Sequence, residues 1–444
     1  MIRLRLFALF LLLASIALPA ARLSEVRAQS GVKVVYAGRL IDGTSNTVRS
    51  NVSIIIERDR IREVRNGRAN IEGAEVIDLS DSTVMPGFID CHTHLTMELG
   101  RGAANVFLGM GRRDSDIALA STLYTRRTLM AGFTAVRDVG AANFIDISLR
   151  DSINAGAITG PRMFVATRAL SITGGHGDFG GIRENLVPEP GYREGIINSP
   201  EDGVRAVRYF AKYGADHIKI TATGGVLSIA DSGSGQQFTL EEMKAIVDTA
   251  RMLHRKVAAH AHGAEGLKDA LRAGVASIEH GTYLDDEAIA LFKKHGAYLV
   301  PTIIAGKTVE MAAKIPGFFP PAIEVKARAI GPLIQGAFAK AYRGGVKIAF
   351  GTDAGVFPHG QNAKEFEYMV EAGMPAIEAI LAATRNAADL MDQSLSIGSI
   401  QSGRFADIVA VKGDPTADIK LLQKIDFVMK GGQVYKRDGK PVLQ

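Results

Sequence analysis

Short apolar runs alternate with amphipathic segments through the middle of the chain, and this alternation predicts the architecture. The apolar runs have the length of buried strands, whereas segments such as Leu240 to His254 and Glu265 to Ala273 have the apolar spacing of helices. Eight strands are predicted, at residues 84–90, 134–139, 163–166, 217–221, 256–261, 276–279, 298–301 and 346–351. Eight strand–helix repeats over about three hundred residues favour a (β/α)8 TIM-type barrel of the α/β class, and a doubly wound open sheet is the alternative.

Both ends of the chain carry a different pattern, in which β-like runs are separated by turn residues. At the N-terminal end the runs include Val32 to Gly43 and Val52 to Ile56. At the C-terminal end they include Ala406 to Val411 and Phe427 to Gly432. The simplest interpretation is that the N- and C-terminal strands pair in one small sheet domain beside the barrel.

Residues 1–28 are predicted to be a secretory signal peptide. A basic start, Met1 to Arg5, precedes a nearly apolar run from Leu6 to Leu18, and small-residue cleavage candidates follow at Ala21 and Ala28. The apolar run is too short to span a bilayer comfortably, and no cysteine follows it that could carry a lipid. We therefore expect a secreted or periplasmic protein with no stable membrane anchor.

Composition narrows the choice of partners and of stabilising interactions. Cys91 is the single cysteine, so the mature chain has no internal disulfide in spite of the predicted export. The net charge of +5 falls to about +2 when the predicted signal peptide, with four arginines and one glutamate, is removed. No basic patch with interleaved aromatic residues is present, so a nucleic-acid partner is not expected.

The segment Asp90-Cys91-His92-Thr93-His94 carries the first chemical signal. It follows an apolar run from Ser82 to Ile89 that reads as a strand. Because alternate side chains of a strand share a face, His92 and His94 point the same way and have the spacing of half a zinc site. Two unrelated histidines at a strand end are the alternative.

Four further residues lie at or just beyond the ends of other predicted strands, and these are Lys219, His260, His280 and Asp353. In a barrel the C-terminal ends of the strands meet at one mouth. Taken singly, each has an ordinary explanation as a strand-edge lysine, a core histidine or a helix N-cap. Taken together they favour a metal site, because each ends a different strand and they follow the histidine pair in the order Lys, His, His, Asp. Two long loops, at residues 175–200 and 303–321, follow strands on the same face and are expected to form walls or a lid over a substrate.

This set of residues suits two divalent metal ions, with zinc preferred. Zn²⁺ binds imidazole nitrogen and carboxylate oxygen, and two ions that share a water turn it into a strong nucleophile near neutral pH. A buried lysine such as Lys219 loses its proton readily, and the neutral amine reacts with CO2 to give a carbamate with one oxygen for each metal. A carboxylate such as Asp353 can move a proton from water to a leaving amine.

The sequence resembles the amidohydrolase superfamily of metal-dependent barrel hydrolases. The resemblance is carried by Met85 to His94 and by Gly351-Thr352-Asp353, and it extends from Gly38 to Val409. It implies a barrel at residues 85–394 and a small β-sandwich built from residues 29–84 and 395–444. It also implies a binuclear centre and a general base and acid, Asp353. It implies that one metal ion is bound by His92, His94 and Asp353 and that the other is bound by His260 and His280. Carboxylated Lys219 would bridge the two ions.

Within the superfamily the chain looks closest to a prolidase-like, imidazolonepropionase-related branch, through Ile172 to Asp178 and Ile278 to Asp286. That branch includes Xaa-Pro-type carboxy-terminal dipeptidases and ochratoxin A-hydrolysing amidohydrolases. The resemblance places His176 near the scissile carbonyl or the bound carboxylate, and it places His262 where the dipeptidases commonly have a tyrosine. We expect both to contact substrate. The alternatives are that His176 orders a glycine-rich loop and that His262 supports a metal ligand.

The function expected from these features is a secreted or periplasmic binuclear-zinc amidohydrolase. Its substrates would be dipeptides or N-acyl amino acids with a free carboxylate, and hydrolysis would release a C-terminal amino acid such as phenylalanine or proline. Ochratoxin A is one such substrate. The alternatives are a cyclic-amide (imidazolone-type) hydrolase or a deaminase on the same centre, and a non-catalytic binding protein on the same barrel. The branch also implies a homo-oligomer, with an octamer as the form the family suggests.

Overall fold

The computed structural model describes residues 31–99, 111–178, 183–186, 188–229 and 232–442. The predicted signal peptide lies outside the described residues. Within those ranges, no helix combines the length and the apolar character needed to cross a membrane.

The strands at the two ends of the chain flank a central domain, and the strands between them build that domain. In chain order they are β1 Val32–Leu40, β2 Arg49–Glu57, β3 Arg60–Asn66, β4 Glu75–Pro86, β5 Phe88–Thr93, β6 Phe133–Asp138, β7 Arg162–Val165, β8 Ile218–Thr221, β9 Val257–Ala261, β10 Ser277–His280, β11 Tyr298–Val300, β12 Lys347–Ile348, β13 Ile408–Lys412, β14 Phe427–Lys430, β15 Gln433–Arg437 and β16 Lys440–Pro441.

The helices lie mainly between the central strands, as the alternating pattern predicts. They are α1 Asp114–Met130, α2 Ile145–Asn154, α3 Pro200–Lys212, α4 Leu240–Met252, α5 Ala264–Ala273, α6 Asp286–His295, α7 Ile303–Ala312, α8 Pro321–Arg343, α9 Lys364–Glu371, α10 Ala376–Leu381 and α11 Ala387–Leu390. A π-helical turn, Ala382–Asn386, joins α10 to α11.

The terminal strands form one eight-stranded sheet in the order β16-β15-β14-β13-β4-β1-β2-β3. Strand β4 runs parallel to β1 and antiparallel to β13, where Val84 lies opposite Ala410, so it joins the two ends of the chain. The inward residues of this sheet, including Val35, Ile54 and Met429, form an apolar cluster of their own. The prediction that N- and C-terminal strands build one β-rich domain is therefore confirmed.

The central strands close into the predicted parallel barrel. Strands β5 to β7 form one ladder and β8 to β12 form another. Bridges between Leu170 and Ile220 and between Thr93 and Ala354 join the two ladders on both sides. The predicted strand over residues 346–351 is regular only at β12. Beyond it the backbone bonds to several neighbours, since Phe350 N–H donates to Ala382 while its carbonyl accepts from Cys91.

The apolar run from Ser82 to Ile89 was expected to be one strand, but the chain divides it between two sheets. Pro86 ends β4 in the terminal sheet and Phe88 begins β5 in the barrel. Gly87 stands at the division, where a Cβ atom would lie 2.0 Å from Oγ1 of Thr134. Only glycine leaves room for the backbone to pass this close to strand β6.

The segment 303–321 is not the long loop that the sequence suggested, because it contains helix α7. The N-terminal N–H groups of α7, at Ile303 and Ile304, donate to the buried carboxylate of Glu365 at 2.8 and 2.7 Å. This carboxylate supplies the cap that the local sequence lacks. Helices α7 and α8 then pack as a hairpin, and their cluster of apolar side chains includes Val226 and Val356 from loops at the barrel mouth.

Candidate metal centre

The predicted ligands meet at the C-terminal ends of the barrel strands. Oδ1 of Asp353 lies 3.3 Å from Nε2 of His94 and 3.5 Å from Nε2 of His92. The ring of His280 lies 5.1 Å from that of His92 and 4.6 Å from that of His260, measured between centroids. The structure therefore brings residues from strands β5, β9, β10 and the segment after β12 to one place.

Two groups of three side chains have the spacing of metal ligands, and they share one imidazole. Within each group the potential ligand atoms all lie within 4.8 Å of one another. The groups are His92, His280 and Asp353, and His260, His262 and His280. Lys219 is buried in the barrel close enough for its charge to influence His92 and Asp353.

Each of these imidazoles is anchored through one ring nitrogen, which leaves the other nitrogen for a ligand. An anchor of this kind fixes the orientation and tautomer of a metal-binding histidine. The anchors, with their distances, are His92 Nδ1 to Glu279 Oε2 at 2.8 Å, His94 Nδ1 to the Gly140 carbonyl at 2.9 Å, His260 Nε2 to the Gly224 carbonyl at 3.1 Å, His262 Nδ1 to Thr282 Oγ1 at 2.7 Å and His280 Nδ1 to Thr302 Oγ1 at 2.7 Å.

Burial keeps most of these imidazoles neutral. It lowers the pKa of His92 to about 4 and that of His262 to about 3, and it holds the pKa values of His260 and His280 well below the ordinary range. His94 differs, because Asp353 outweighs the effect of burial and raises its pKa. Neutral imidazoles keep the lone pair that binds a divalent ion, so this donor set fits a metal.

Lys219 has the properties that carboxylation requires. Its side chain is buried, and burial lowers the pKa of its amine to about 8. None of the described residues accepts a hydrogen bond from its Nζ atom in the structure. A lysine that is partly neutral near physiological pH is a nucleophile for CO2, so Lys219 fits the bridging position.

Two of the predicted ligands adopt a backbone conformation that L-residues rarely use. His280 has a φ angle of 73° and Asp353 has a φ angle of 63°. Such conformations cost about 1–3 kcal/mol each and persist where surrounding contacts fix them. The N–H of Asp353 donates to the carbonyl of His92 at 2.7 Å, which is one such contact.

The residues that support His92 were not predicted from the sequence. Glu279 is fully buried, and its Oε1 atom accepts a hydrogen bond from Nη2 of Arg137 at 2.7 Å. Arg137 also donates through Nε to the carbonyl of Cys91 at 2.7 Å and through Nη1 to Ser277 at 3.0 Å. The available signal was the presence of two charged residues, Arg137 and Glu279, inside predicted buried strands.

The hydrogen bonds around Asp90 were also not predicted. Asp90 is fully buried and lies two residues before His92. Its Oδ2 atom accepts from Thr352 Oγ1 at 2.6 Å and from Asn362 Nδ2 at 2.8 Å. Burial raises the pKa of Asp90 to about 6, and these hydrogen bonds oppose the rise. Asp90 thus joins strand β5 to the segment that carries Asp353.

His176 lies beside the predicted metal ligands, and its Nδ1 atom has no hydrogen bond within the described part of the chain to orient the ring. Its ring stacks on that of His260 at 4.3 Å, and its Nδ1 atom is buried with no hydrogen-bond partner among the described residues. A Cβ atom on Gly225 would lie 2.1 Å from the His176 ring, so this glycine allows the ring to fit. The expectation that His176 lies near the scissile carbonyl or the bound carboxylate stays a prediction.

The fold and the site define a metal-dependent hydrolase of the barrel type. The model of the amidohydrolase family matches residues 83–435, so the chain belongs to that family and is an enzyme that hydrolyses amide bonds. The family and the enzyme class predicted from the sequence are both confirmed.

Individual relatives agree with the predicted branch of the family. Ochratoxinase from Aspergillus niger is 33% identical over 439 residues, which cover 93% of this chain and 88% of that protein. The structure of a Xaa-Pro dipeptidase with methionine bound in its active site is 46% identical, with a TM-score of 0.89, and covers 91% of this chain and 100% of that one. A prolidase complexed with N-methylphosphonate-L-proline is 32% identical, with a TM-score of 0.83 and coverage of 91% and 100%.

Replacement of Glu279 tests the support of the centre. Glu279→Gln removes the negative charge of the carboxylate that pairs with buried Arg137 and bonds to His92. Breaking such a buried ion pair costs about 3–5 kcal/mol of stability. We expect a lower melting temperature and metal affinity reduced by about 10–100-fold. Thermal unfolding and competition with a chelator measure the two effects. Glu265→Gln, which changes an exposed carboxylate paired with Lys268, is the matched control. Equal behaviour of the two variants would contradict the role of Glu279.

Proposed function

We propose that this protein is an exported binuclear zinc amidohydrolase that releases the C-terminal amino acid from dipeptides or N-acyl amino acids. The observation that carries the proposal is the convergence of two ligand groups on His280, with the Asp353 carboxylate in reach of both His92 and His94. Export rests on the signal-like residues 1–28, and assembly into a homo-oligomer rests on the family branch.

In the proposed reaction the metal ions would activate the amide and water, and Asp353 would transfer the proton. Two divalent ions, when bound, supply the positive charge that polarises the amide carbonyl and lowers the pKa of water. Burial opposes ionisation of Asp353, but His92, His94 and Lys219 hold its pKa below the usual range. Its carboxylate is therefore ionised and can accept the proton of the attacking water and pass it to the leaving amine.

His176 is the residue of the site best suited to contact the substrate. Its unpartnered Nδ1 atom is a buried polar group whose hydrogen bond is unmade, and such a group is costly unless a ligand satisfies it. Burial lowers the pKa of His176 to about 4, so the imidazole is neutral. A neutral imidazole can donate one hydrogen bond to a carbonyl or carboxylate oxygen.

The preference for an apolar amino acid rests on the relatives and on the mouth of the barrel. The relatives include an enzyme named for ochratoxin and structures that hold methionine or an L-proline derivative. In this chain, a buried apolar cluster joins the α7–α8 hairpin to loops that follow barrel strands, and it includes Val226, Val309, Phe319 and Val356. Apolar groups near a charged centre suit amides that carry one apolar group and one carboxylate.

The proposed activity is tested by amino-acid release from a panel of N-acyl amino acids, Xaa-Phe, Xaa-Pro and Xaa-Arg dipeptides and ochratoxin A. We expect the zinc-loaded protein to release an apolar or aromatic amino acid and the EDTA-treated protein to release none. Detection of free amino acid by mass spectrometry identifies the preferred residue. Silence across the panel with two metals bound would contradict the proposal and favour a cyclic-amide hydrolase or a deaminase.

Asp353→Asn tests the proton transfer. The amide keeps the size of the side chain but cannot take a proton from water, and general acid–base catalysis contributes about 10²–10⁴-fold to rate. We expect kcat to fall by that range on the best panel substrate, with the fold retained by circular dichroism. The control is Asp392→Asn at an exposed side chain. A kcat near that of the parent would remove Asp353 from this role.

Lys219→Ala tests the bridge between the metals. Loss of the buried amine removes both oxygens of the proposed carbamate, so we expect fewer than two metals per chain by elemental analysis. Short carboxylic acids added to the variant are expected to restore part of the metal content and activity. Lys412→Ala, at an exposed ion pair with Asp81, serves as the control. Unchanged zinc content in Lys219→Ala would refute the bridging role.

A further inference from the structure

A cavity of about 370 Å³ lies at the N-terminal ends of the barrel strands, at the opposite end of the barrel from the candidate metal centre. The segments that lead into four neighbouring strands line it. Lys256 directly precedes β9, Ala276 directly precedes β10, and Tyr298 and Lys347 begin β11 and β12. Small-molecule sites have volumes of about 300–1,000 Å³, so the cavity is large enough to hold a ligand.

Basic side chains dominate the lining of this cavity. Asp389 is the one carboxylate among the lining residues, and its Oδ2 atom accepts a hydrogen bond from the Tyr298 hydroxyl at 2.6 Å. The lining cations are Arg251, Arg255, Lys256 and Lys347, and the exposed imidazole of His295 adjoins them. An excess of positive charge in a concave site raises the local concentration of anions.

Nearby helix ends and acidic side chains account for only part of this positive charge. The C-terminal carbonyls of a helix carry partial negative charge, and basic side chains often bond to them. Lys256 Nζ donates to the Leu390 carbonyl at the end of α11 at 2.9 Å and pairs with Asp392 at 2.7 Å. Arg255 donates through Nη1 to the Leu253 carbonyl, just beyond α4, at 3.0 Å. Lys256 is therefore matched locally, whereas Arg255 pairs with no carboxylate of the described residues.

Two further cations of the cavity bond to no helix carbonyl in the described part of the chain. Lys347 Nζ lies 5.2 Å from the centroid of the Tyr298 ring, and it makes no hydrogen bond or ion pair with the described residues. Arg251 pairs through Nη1 with Asp248 at 2.8 Å. Its Nη2 atom lies over Gly274, where a Cβ atom would be 3.1 Å away. Helix capping therefore does not explain why Lys347 and Arg251 are here.

We propose that this cavity binds a small organic anion through a phosphate or carboxylate group, with Arg255 and Lys347 as its main contacts. A guanidinium binds two oxygens of such a group in one plane, and an ammonium adds a point charge. At about 30 Å³ for each water, the cavity has the volume of roughly a dozen waters, which leaves room for an organic part beside the charged group. The site is separate from the metal centre and does not depend on the proposed reaction.

Binding is measured by isothermal titration of the zinc-loaded full-length protein with glycerol phosphate and with succinate. Glycerol is the matched neutral probe. We expect saturable binding of at least one of the two anions and none of glycerol, with weaker binding as sodium chloride is added. The anion that binds more tightly shows whether the site prefers a phosphate or a carboxylate. Absence of saturable binding of both anions would overturn the proposal.

Paired variants place the bound anion in the cavity. Arg255→Gln/Lys347→Gln is expected to weaken binding at least about tenfold, because it removes charge-assisted hydrogen bonds. Asp389→Asn removes a repulsive charge and is expected to strengthen binding by up to about fivefold. Arg208→Gln/Lys412→Gln makes the same change of charge at exposed positions elsewhere and is expected to leave the affinity unchanged.

Two results would contradict this location. One is equal anion affinity in Arg255→Gln/Lys347→Gln and in its control. The other is binding that this variant retains but that disappears when metal is removed by EDTA followed by dialysis, because the anion would then occupy the metal centre. Circular dichroism checks the fold of each variant. If the double variant does not fold, Lys347→Gln at an exposed side chain carries the test, with the same expected direction.

Discussion

The hydrogen bond between Nδ1 of His92 and the buried carboxylate of Glu279 is the interaction on which the centre depends. It crosses the barrel interior from β5 to β10, and Arg137 on β6 completes it by bonding to both strands. A buried charge is stable only when it is paired and hydrogen-bonded. These residues therefore hold the strands in register and, through the same contacts, set the ring orientation at the metal site.

The rest of the centre follows the same principle, in which hydrogen bonds from buried groups orient the side chains at the mouth of the barrel. Threonine hydroxyls and backbone carbonyls orient the remaining imidazoles, and Asp90 ties strand β5 to the segment that carries Asp353. The strained backbone at His280 and Asp353 is maintained by these contacts. Preorganisation of this kind places the cost of assembling the site in folding, so that little reorganisation remains when substrate or metal arrives.

The parts of the fold that were predicted correctly depend on local signals, and the parts that were not depend on distant contacts. Strand periodicity placed all eight barrel strands. The division of one apolar run at Gly87 could not be read locally, because it follows from the approach of Thr134 on another strand. Helix α7 was likewise missed, because its N-terminal cap is Glu365, which is more than sixty residues away in sequence.

The sequence by itself determined the barrel, the terminal sheet, the family and the residues that approach the mouth, because these follow from hydrophobic period and from motifs at strand ends. Only the tertiary structure decided which nitrogen of each imidazole faces the centre, since Glu279, Thr282 and Thr302 reach their partners across strands. It also showed that Nδ1 of His262 has a hydrogen-bond partner in Thr282, whereas Nδ1 of His176 has none among the described residues. Hydrogen-bond partners are a property of three-dimensional proximity, and no pattern along one chain specifies them.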